Sequence, residues 1–412
     1  MEVGLSADQE LLVSTTRKYL RASVPPEVLR ELRDSPVGYQ PDFWRTGAEL
    51  GWTSLLVAEE RGGGSVSGAG LRDLALVAYE FGRHAAPGPL LTSNVVAAAL
   101  SGALSAAGGE AGDDVAGGVL ERICAGEAVA AWCFGEPVPH DGLGQVTATA
   151  LAAGSDLVLS GVKAPVEHGA QADYFLVTAR GADGGLAQLL VPADAPGVTV
   201  TPLRTLDLTR RFARVEFSDV RLPAAALVGD LGGAAAAVER QLSIALVIQT
   251  AEMVGAMDRA FELTVAWAAD RYSFGRPLAS YQALKHRFAD LKMWLEASHA
   301  LADAAAVAVQ DDDERAAELA SVAKAYIGHY GPELCQDCVQ LHGGIGVTFE
   351  HDLHLYLRRT VVGSALLGTP REHRLRIAGI LEGRGGDAGA GKTGAGESGT
   401  GEAGDGAREA AA

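Results

Sequence analysis

Three groups of residues have the types and spacing to do chemistry, and two of them lose that reading in context. Gly386-Asp387-Ala388-Gly389-Ala390-Gly391-Lys392-Thr393 fits the phosphate-binding loop, in which glycine amides cradle phosphates while Lys and Thr reach phosphate and Mg²⁺. That chemistry needs a strand before the loop and a helix after it. This copy runs on into Gly394-Ala395-Gly396-Glu397-Ser398-Gly399, so we read it as accidental. Cys335, Cys338 and His342 fall on one helical face, but a structural zinc takes four ligands and no second cysteine pair lies near, so they read as buried thiols and no metal site is expected. Cys124 and Cys133 lack the His or basic neighbour that would mark a thiolate nucleophile. The third group is a pair of segments. One runs from Arg271-Tyr272-Ser273-Phe274-Gly275-Arg276-Pro277 through Gln282 and His286 to Asp290; the other is Gln340-Leu341-His342-Gly343-Gly344-Ile345-Gly346, with Arg358-Arg359 after it. Arg271 or Gln340 alone reads as a solvated helix-end residue. Their joint occurrence at this separation marks a site.

The elements that must position these segments change character twice along the chain. Ser6 with Gln9 three residues on is a capping-box pattern, and helical stretches follow at Val24–Leu32, Asp42–Leu50, Leu71–Phe81 and Ser93–Leu104, separated by Gly- and Pro-rich turns. From Glu127 short β-rich runs take over: Val129–Phe134, Val146–Ala150, Leu157–Val162, Tyr174–Ala179, Ala187–Val191, Val198–Thr201 and the alternating Arg214-Val215-Glu216-Phe217. After Gly233 the pattern is helical again. Leu242, Leu246, Gln249, Met253, Met257, Phe261 and Val265 recur at spacings of three and four, a stripe too long for an ordinary helix and suited to a bundle. Further helices are expected over Ser280–Val309, Asp313–Leu341 and His351–Leu381. The division is an all-α unit 1–125, a β unit 126–229, a bundle 230–382 and a tail 383–412, where 11 of 30 residues are Gly and the only apolar side chains are Ala. Such a tail cannot offset its chain entropy and is expected to be disordered.

Composition narrows the partners. The 34 Lys+Arg against 52 Asp+Glu give −18 over 412 residues, and so acidic a surface repels phosphate backbones and anionic membranes. Neither is expected as a partner. The start MEVGLSADQE is acidic where a signal peptide needs a basic flank and an apolar core, and four cysteines do not make a disulfide scaffold. The apolar stretch Leu90–Ala107 is interrupted by Thr92, Ser93, Asn94, Ser101 and Gly102, so no membrane span is expected and the cytoplasm is the expected compartment.

The paired segments, together with Leu50-Gly51-Trp52 to Gly62-Gly63, the stretch from Asp207-Leu208-Thr209 to Leu222-Pro223, and Gly368-Thr369, resemble the acyl-CoA dehydrogenase family over about residues 1–382. The resemblance implies a mainly α fold with a β middle domain: an N-terminal helical domain, a β-barrel and a C-terminal four-helix bundle, assembled as a dimer or a dimer of dimers. It implies FAD as cofactor and an acyl-CoA or carrier-bound acyl group as substrate. In this family a Glu removes the α-proton while the β-hydride passes to flavin N5. FAD there lies between subunits, one supplying the barrel residues around the ring and its neighbour the segments that hold the ADP half. By that pattern Arg271, Ser273, Phe274, Gln340, Gly343 and Gly344 would serve the neighbour's half, with Thr369 beside the ring.

The same resemblance exposes departures. The family's base directly precedes Gly-Thr, where this chain has Leu367; the alternative base position, on the first long C-terminal helix, falls at about Ala245. Neither can accept a proton. Gly135 stands where a Thr hydroxyl would meet the pyrimidine edge, and His140-Asp141-Gly142 replaces a Gly-Ser-Asp. Pro165 stands for a Trp and Glu167 for a Thr or Ser facing the flavin. A carboxylate beside N5 would disfavour the anionic reduced ring. Three readings follow. The chain is a working dehydrogenase with a recruited base, Glu252 (two helical turns after Ala245) or Glu167. Or it is the non-catalytic subunit of a heteromeric dehydrogenase paired with a homologue, a type found among actinobacterial sterol-degrading enzymes. Or the scaffold is redeployed, in secondary metabolism for flavin-dependent oxygenation or a redox-neutral cyclisation, or as a binding protein.

Overall fold

The computed structural model describes residues 4–108, 115–137 and 145–390, with side chains through Arg384. The first helix, α1 (Ala7–Ser23), opens on the expected capping box: Ser6 Oγ accepts from the Gln9 amide at 3.2 Å and Gln9 Oε1 accepts from the Ser6 amide at 3.1 Å. Then come α2 (Pro26–Leu32), α3 (Pro41–Glu49), α4 (Gly70–Arg83), α5 (Leu90–Ala107) and α6 (Val115–Cys124). They close around Trp52, which is fully buried, with Phe43 and Phe81 edge-on to its ring and its Nε1 donating to Thr16 Oγ1 at 3.1 Å. Sequence reasoning did not find α6, because Gly117-Gly118 argues against a helix that Val119, Leu120 and Ile123 nevertheless anchor in the core. On length and apolarity alone α5 would reach across a membrane, with mean hydropathy 1.5 over 18 residues; in the fold 61% of it is buried.

The middle of the chain forms one eight-stranded sheet. Its strands are β1 (Ala130–Cys133), β2 (Thr149–Ala153), β3 (Asp156–Glu167), β4 (Tyr174–Arg180), β5 (Leu186–Pro192), β6 (Val198–Leu203), β7 (Phe212–Pro223) and β8 (Leu227–Val228). The order is β6-β7-β3-β2-β4-β5-β8, with β1 parallel to β4. The alternation at 214–217 holds: Val215 and Phe217 are buried, while Arg214 and Glu216 pair outside at 2.9 Å. Sequence positions 140–142 lie outside the described residues.

The bundle begins with α7 (Ala235–Asp270), 36 residues or about 54 Å long. Its apolar stripe is buried from Leu242 to Met257, but Val265, near the end, is exposed. A Cβ on Gly255 would lie 2.0 Å from the Tyr79 carbonyl and one on Gly82 1.8 Å from that of Glu252, so α4 and α7 touch backbone to backbone. A short hairpin, β9 (Tyr272–Ser273) and β10 (Arg276–Pro277), leads to α8 (Gln282–Gln310) and α9 (Ala316–His342).

The expected single helical region over 351–381 is instead two helices, α10 (Leu353–Ala365) and α11 (Pro370–Ala390). Leu367 at φ +56° and Gly368 at φ +98° turn the chain out of the first. Pro370 at the first helical position, with Thr369 and Glu372 exchanging amide and side-chain bonds, starts the second. Over residues 383–390 the expected disorder is corrected, since α11 runs on to Ala390; the rest of the tail, 391–412, lies outside the described residues. Arg384 anchors that extension on the Glu318 carboxylate and the Glu314 carbonyl. Of the loop-like motif 386–393, the first five residues belong to this helix; Gly391 to Thr393 lie outside the described residues.

Candidate functional site

A cavity of about 400 Å³ lies between the sheet and the bundle. Phe134, Gly135 and Glu136 after β1 and Ala164, Pro165 and Glu167 of β3 form the sheet wall; Gln249 of α7 and the α10–α11 turn form the other. The Trp132 and Phe134 rings stack at 4.8 Å, and Trp132 Nε1 donates to Gln241 Oε1 at 3.0 Å, which fixes that corner. Leu367 lines the cavity and presents a hydrocarbon side chain to it. Ala245 is sealed in the core and is absent from the lining. At Gly135 an added Cβ would meet only the Ala164 carbonyl, at 3.6 Å; the wall has room for a side chain and lacks one. Glu136 is committed elsewhere, to Lys163 Nζ at 2.8 Å and to the Thr147 and Ala148 amides.

Glu167 and Glu252, the two candidate bases, meet in a buried charge network. Arg210 contacts Glu167 at 3.3 Å and also binds Glu252. Arg359 binds the other oxygen of Glu252, takes Asp207 at 2.6 Å, and donates to the carbonyls of Ala85 and Ala86. Both oxygens of Glu252 are thus occupied by guanidinium groups, and its side chain does not border the cavity. Glu167 does border it. Burial pushes its carboxyl above the usual range against the pull of Arg210, with Glu252 adding repulsion.

Behind the Leu367 turn, Lys324 is fully buried and donates to Gln249 Oε1 at 2.7 Å, to Leu366 O at 2.7 Å and to Gly363 O. Burial drives its ammonium well below the usual range, with nearby Arg210 adding to it. His373 Nε2 donates to Leu367 O at 2.8 Å, and burial lowers this histidine to about 4; burial likewise lowers His168 to about 3. Unfolded, each titrates near ~6.5. A histidine whose pKa is lower in the fold takes its proton better unfolded, so stability is full above about 6.5 and falls as pH drops towards about 4. Urea midpoints measured from pH 7 to 4.5 are expected to fall in that window. In His373→Gln, which keeps a donor for Leu367 O, the slope should be shallower; an unchanged slope would exclude His373.

The paired segments sit elsewhere. None of Arg271, Ser273, Phe274, Gln340, Gly343 and Gly344 lines the cavity; the structure gathers them instead at the ends of α7 and α9. The Trp267 ring stacks on His342 at 5.3 Å, and Arg271 lies 5.7 Å over Trp267. Phe274 and Gly275 form the tip of the β9–β10 hairpin, at φ +51° and +79°. Positive φ at both central residues suits a tight hairpin, but Phe at that angle is strained. Its ring is 97% exposed. Arg271, Gln340, Gly343 and Gly344 are exposed as well, and a Cβ built on Gly343 or Gly344 meets nothing within 4 Å. A guanidinium beside backbone that a ligand can approach closely fits the pyrophosphate of a dinucleotide. The cavity wall fits a flavin ring poorly, with no hydroxyl at Gly135 and a carboxyl at Glu167. Thr369 is not itself among the lining residues, although Gly368 and Glu372 are; its hydroxyl donates to Glu372 at 2.8 Å at the start of α11. Cys335 and Cys338 are buried free thiols. Sequence reasoning passed over Lys324 and Glu372; the signal for the first was a lone cation among Ala320, Ala323 and Ile327 at helical spacing.

Three helical and sheet units with a cavity at their junction define an acyl-CoA dehydrogenase fold. The models of that family's N-terminal, middle and C-terminal domains match residues 6–127, 139–220 and 232–381. The chain belongs to the acyl-CoA dehydrogenase family, whose members are FAD-binding oxidoreductases. It is 30% identical to the acyl-CoA dehydrogenase IpdE2 of Mycolicibacterium smegmatis over 90% of this chain and 98% of that one. Among solved structures, the ChsE4-ChsE5 complex of Mycobacterium tuberculosis superposes with TM-score 0.80 at 26% identity, over 93% of this chain and 99% of its own. A glutaryl-CoA dehydrogenase of Mycobacterium smegmatis in complex with FADH2 shares the fold with TM-score 0.76 at 23% identity, over 92% of this chain and 95% of its own.

Proposed function

We propose that this chain is the non-catalytic subunit of a heteromeric acyl-CoA dehydrogenase. It would complete the FAD site of a paired homologue that carries out α,β-oxidation of an acyl thioester. The observation that carries this reading is the separation of the two half-sites. Arg271, Phe274, Gln340, Gly343 and Gly344, the residues expected to contact the dinucleotide, are exposed, with Phe274 97% exposed on a strained hairpin tip, while Leu367, at the position where the resemblance would put a base, lines the chain's own cavity. A large bare aromatic on a strained turn suits a site completed by another subunit. FAD, when bound, supplies hydride acceptance. Arg271 would neutralise its pyrophosphate, Gly343 and Gly344 would admit it close to backbone, and Phe274 would cover it from water. The relative ChsE4-ChsE5 is itself a complex of two differently named chains.

The test is to purify the chain alone and co-expressed with a paired homologue that has Glu before its Gly-Thr, recording flavin per chain, native mass and acyl-CoA oxidation with an artificial acceptor. We expect less than about a tenth of a flavin per chain alone, and full flavin with activity only together. About one FAD per chain with turnover in the lone protein would overturn the reading, and would point to Glu167 as a recruited base.

A further inference from the structure

The polar groups bordering the 400 Å³ cavity and not already spent are donors. Gln249 is 1% exposed and its Oε1 receives the Lys324 proton at 2.7 Å, yet its Nε2 has no partner. In this orientation Lys324 Nζ donates to Gln249 Oε1 as it does to Gly363 O and Leu366 O. The unbonded part of the amide is therefore its two N–H groups, and a buried donor left unpaired is costly.

Across the cavity, Glu167 belongs to a network in which two guanidinium groups, Arg210 and Arg359, face three carboxyls, Asp207, Glu252 and Glu167. Glu252 binds both cations and Asp207 takes Arg359 at 2.6 Å with Arg210 4.0 Å away, whereas Glu167 touches only Arg210, at 3.3 Å. Charge balance in a buried cluster leaves Glu167 as the carboxyl that keeps its proton. The remaining carboxyls of the lining are committed, Glu136 to Lys163 and Glu372 to Thr369, and Leu367 offers no acceptor. Leu91, Trp132, Phe134, Leu203 and Phe212 make the rest largely apolar. A mainly apolar cavity with a few unspent donors orients a ligand by an oxygen it carries.

We propose that this cavity binds an apolar acyl group through a carbonyl oxygen, with the Gln249 amide and the Glu167 carboxyl as its donors. The carbonyl is either that of the thioester or a ketone on the acyl skeleton. The assignment does not depend on which subunit of an assembly holds FAD.

The test is calorimetric titration of the full chain, in the assembly in which it purifies, with cyclohexanecarbonyl-CoA and 4-oxocyclohexanecarbonyl-CoA. Gln249→Leu should weaken binding about tenfold to a hundredfold. An equal loss with both probes places the donor on the thioester carbonyl; a loss confined to the oxo probe places it on the ring ketone. Glu167→Gln, which keeps a donor without a charge, should bind within about threefold of the unaltered protein, whereas Glu167→Leu should lose about tenfold. Thermal midpoints and circular dichroism confirm that each variant is folded. The proposal falls if neither probe binds the unaltered protein, if Gln249→Leu binds both unchanged, or if Glu167→Gln loses as much as Glu167→Leu. It also falls if Gln249→Leu loses bound FAD while keeping both probes, which would assign the donor to the flavin.

Discussion

Replacing Arg359 with leucine is expected to destabilise the protein by about 3–5 kcal/mol. The guanidinium is 1% exposed and ties α10 to Glu252 on α7, to Asp207 before β7 and to the Ala85 and Ala86 carbonyls beyond α4. Its loss leaves two buried carboxylates facing only Arg210 and frees two carbonyls, and an uncompensated buried charge is the expensive outcome. Urea denaturation at pH 7 reads the loss as a lower midpoint. The double replacement Arg359→Leu with Glu252→Leu removes one stranded carboxylate along with the cation, so it should be less destabilised than the single variant. A single variant within about 1 kcal/mol of the unaltered protein would mean that the network contributes specificity of packing rather than stability.

Arg271→Ala is expected to lower FAD retained by the complete assembly about tenfold to a hundredfold, the worth of a charge-assisted hydrogen bond to an anionic ligand. The side chain is exposed and rests on Trp267, so the variant should fold normally and keep the native mass of the assembly. Flavin content after gel filtration is the readout. Unchanged flavin would remove this segment from the cofactor site; a change of native mass would make Arg271 an assembly residue instead. Arg271→Lys should recover only part of the loss, because an ammonium lacks the planar fork that engages two phosphate oxygens.

Much of the fold was legible because its residues report locally. Ser6 and Gln9 announce a helix start, and Val215 and Phe217 alternate with Arg214 and Glu216 as a half-buried strand must. The stripe from Leu242 to Met257 has the period of the helix it forms. The failures came where a local signal was outweighed by contacts distant in sequence. Gly117-Gly118 argues against α6, yet Val119 and Ile123 are buried against the rest of the domain. The Gly-rich composition after 383 argues against helix, but Arg384 is held by Glu318, 66 residues away. The site divides in the same way. Arg271, Phe274, Gln340 and Gly343 stand in compact motifs and could be picked out one by one. The network could not, because nothing local to Arg210 or Arg359 names Glu252 as the partner against which the fold places both. The direction of the Gln249 amide depends on Lys324, 75 residues later, and no spacing along one chain encodes that.

Helix α7 carries Gln249 and Glu252 near its middle and hands over to Arg271 at its end. Gln249 and Arg271 are 22 residues or about 33 Å apart on a nearly unbroken rod. Each residue added to or removed from such a rod turns everything beyond it by about 100°. A one-residue insertion between Met253 and Ala266 would therefore leave the cavity intact and swing Trp267 off His342 and Arg271 to another side of the molecule. Deletion of seven residues would nearly restore the angle while drawing the arginine in by about 10 Å. Chain length in this stretch is consequently fixed as tightly as residue identity, and relatives that keep both half-sites should differ in length in their loops and tails but not here.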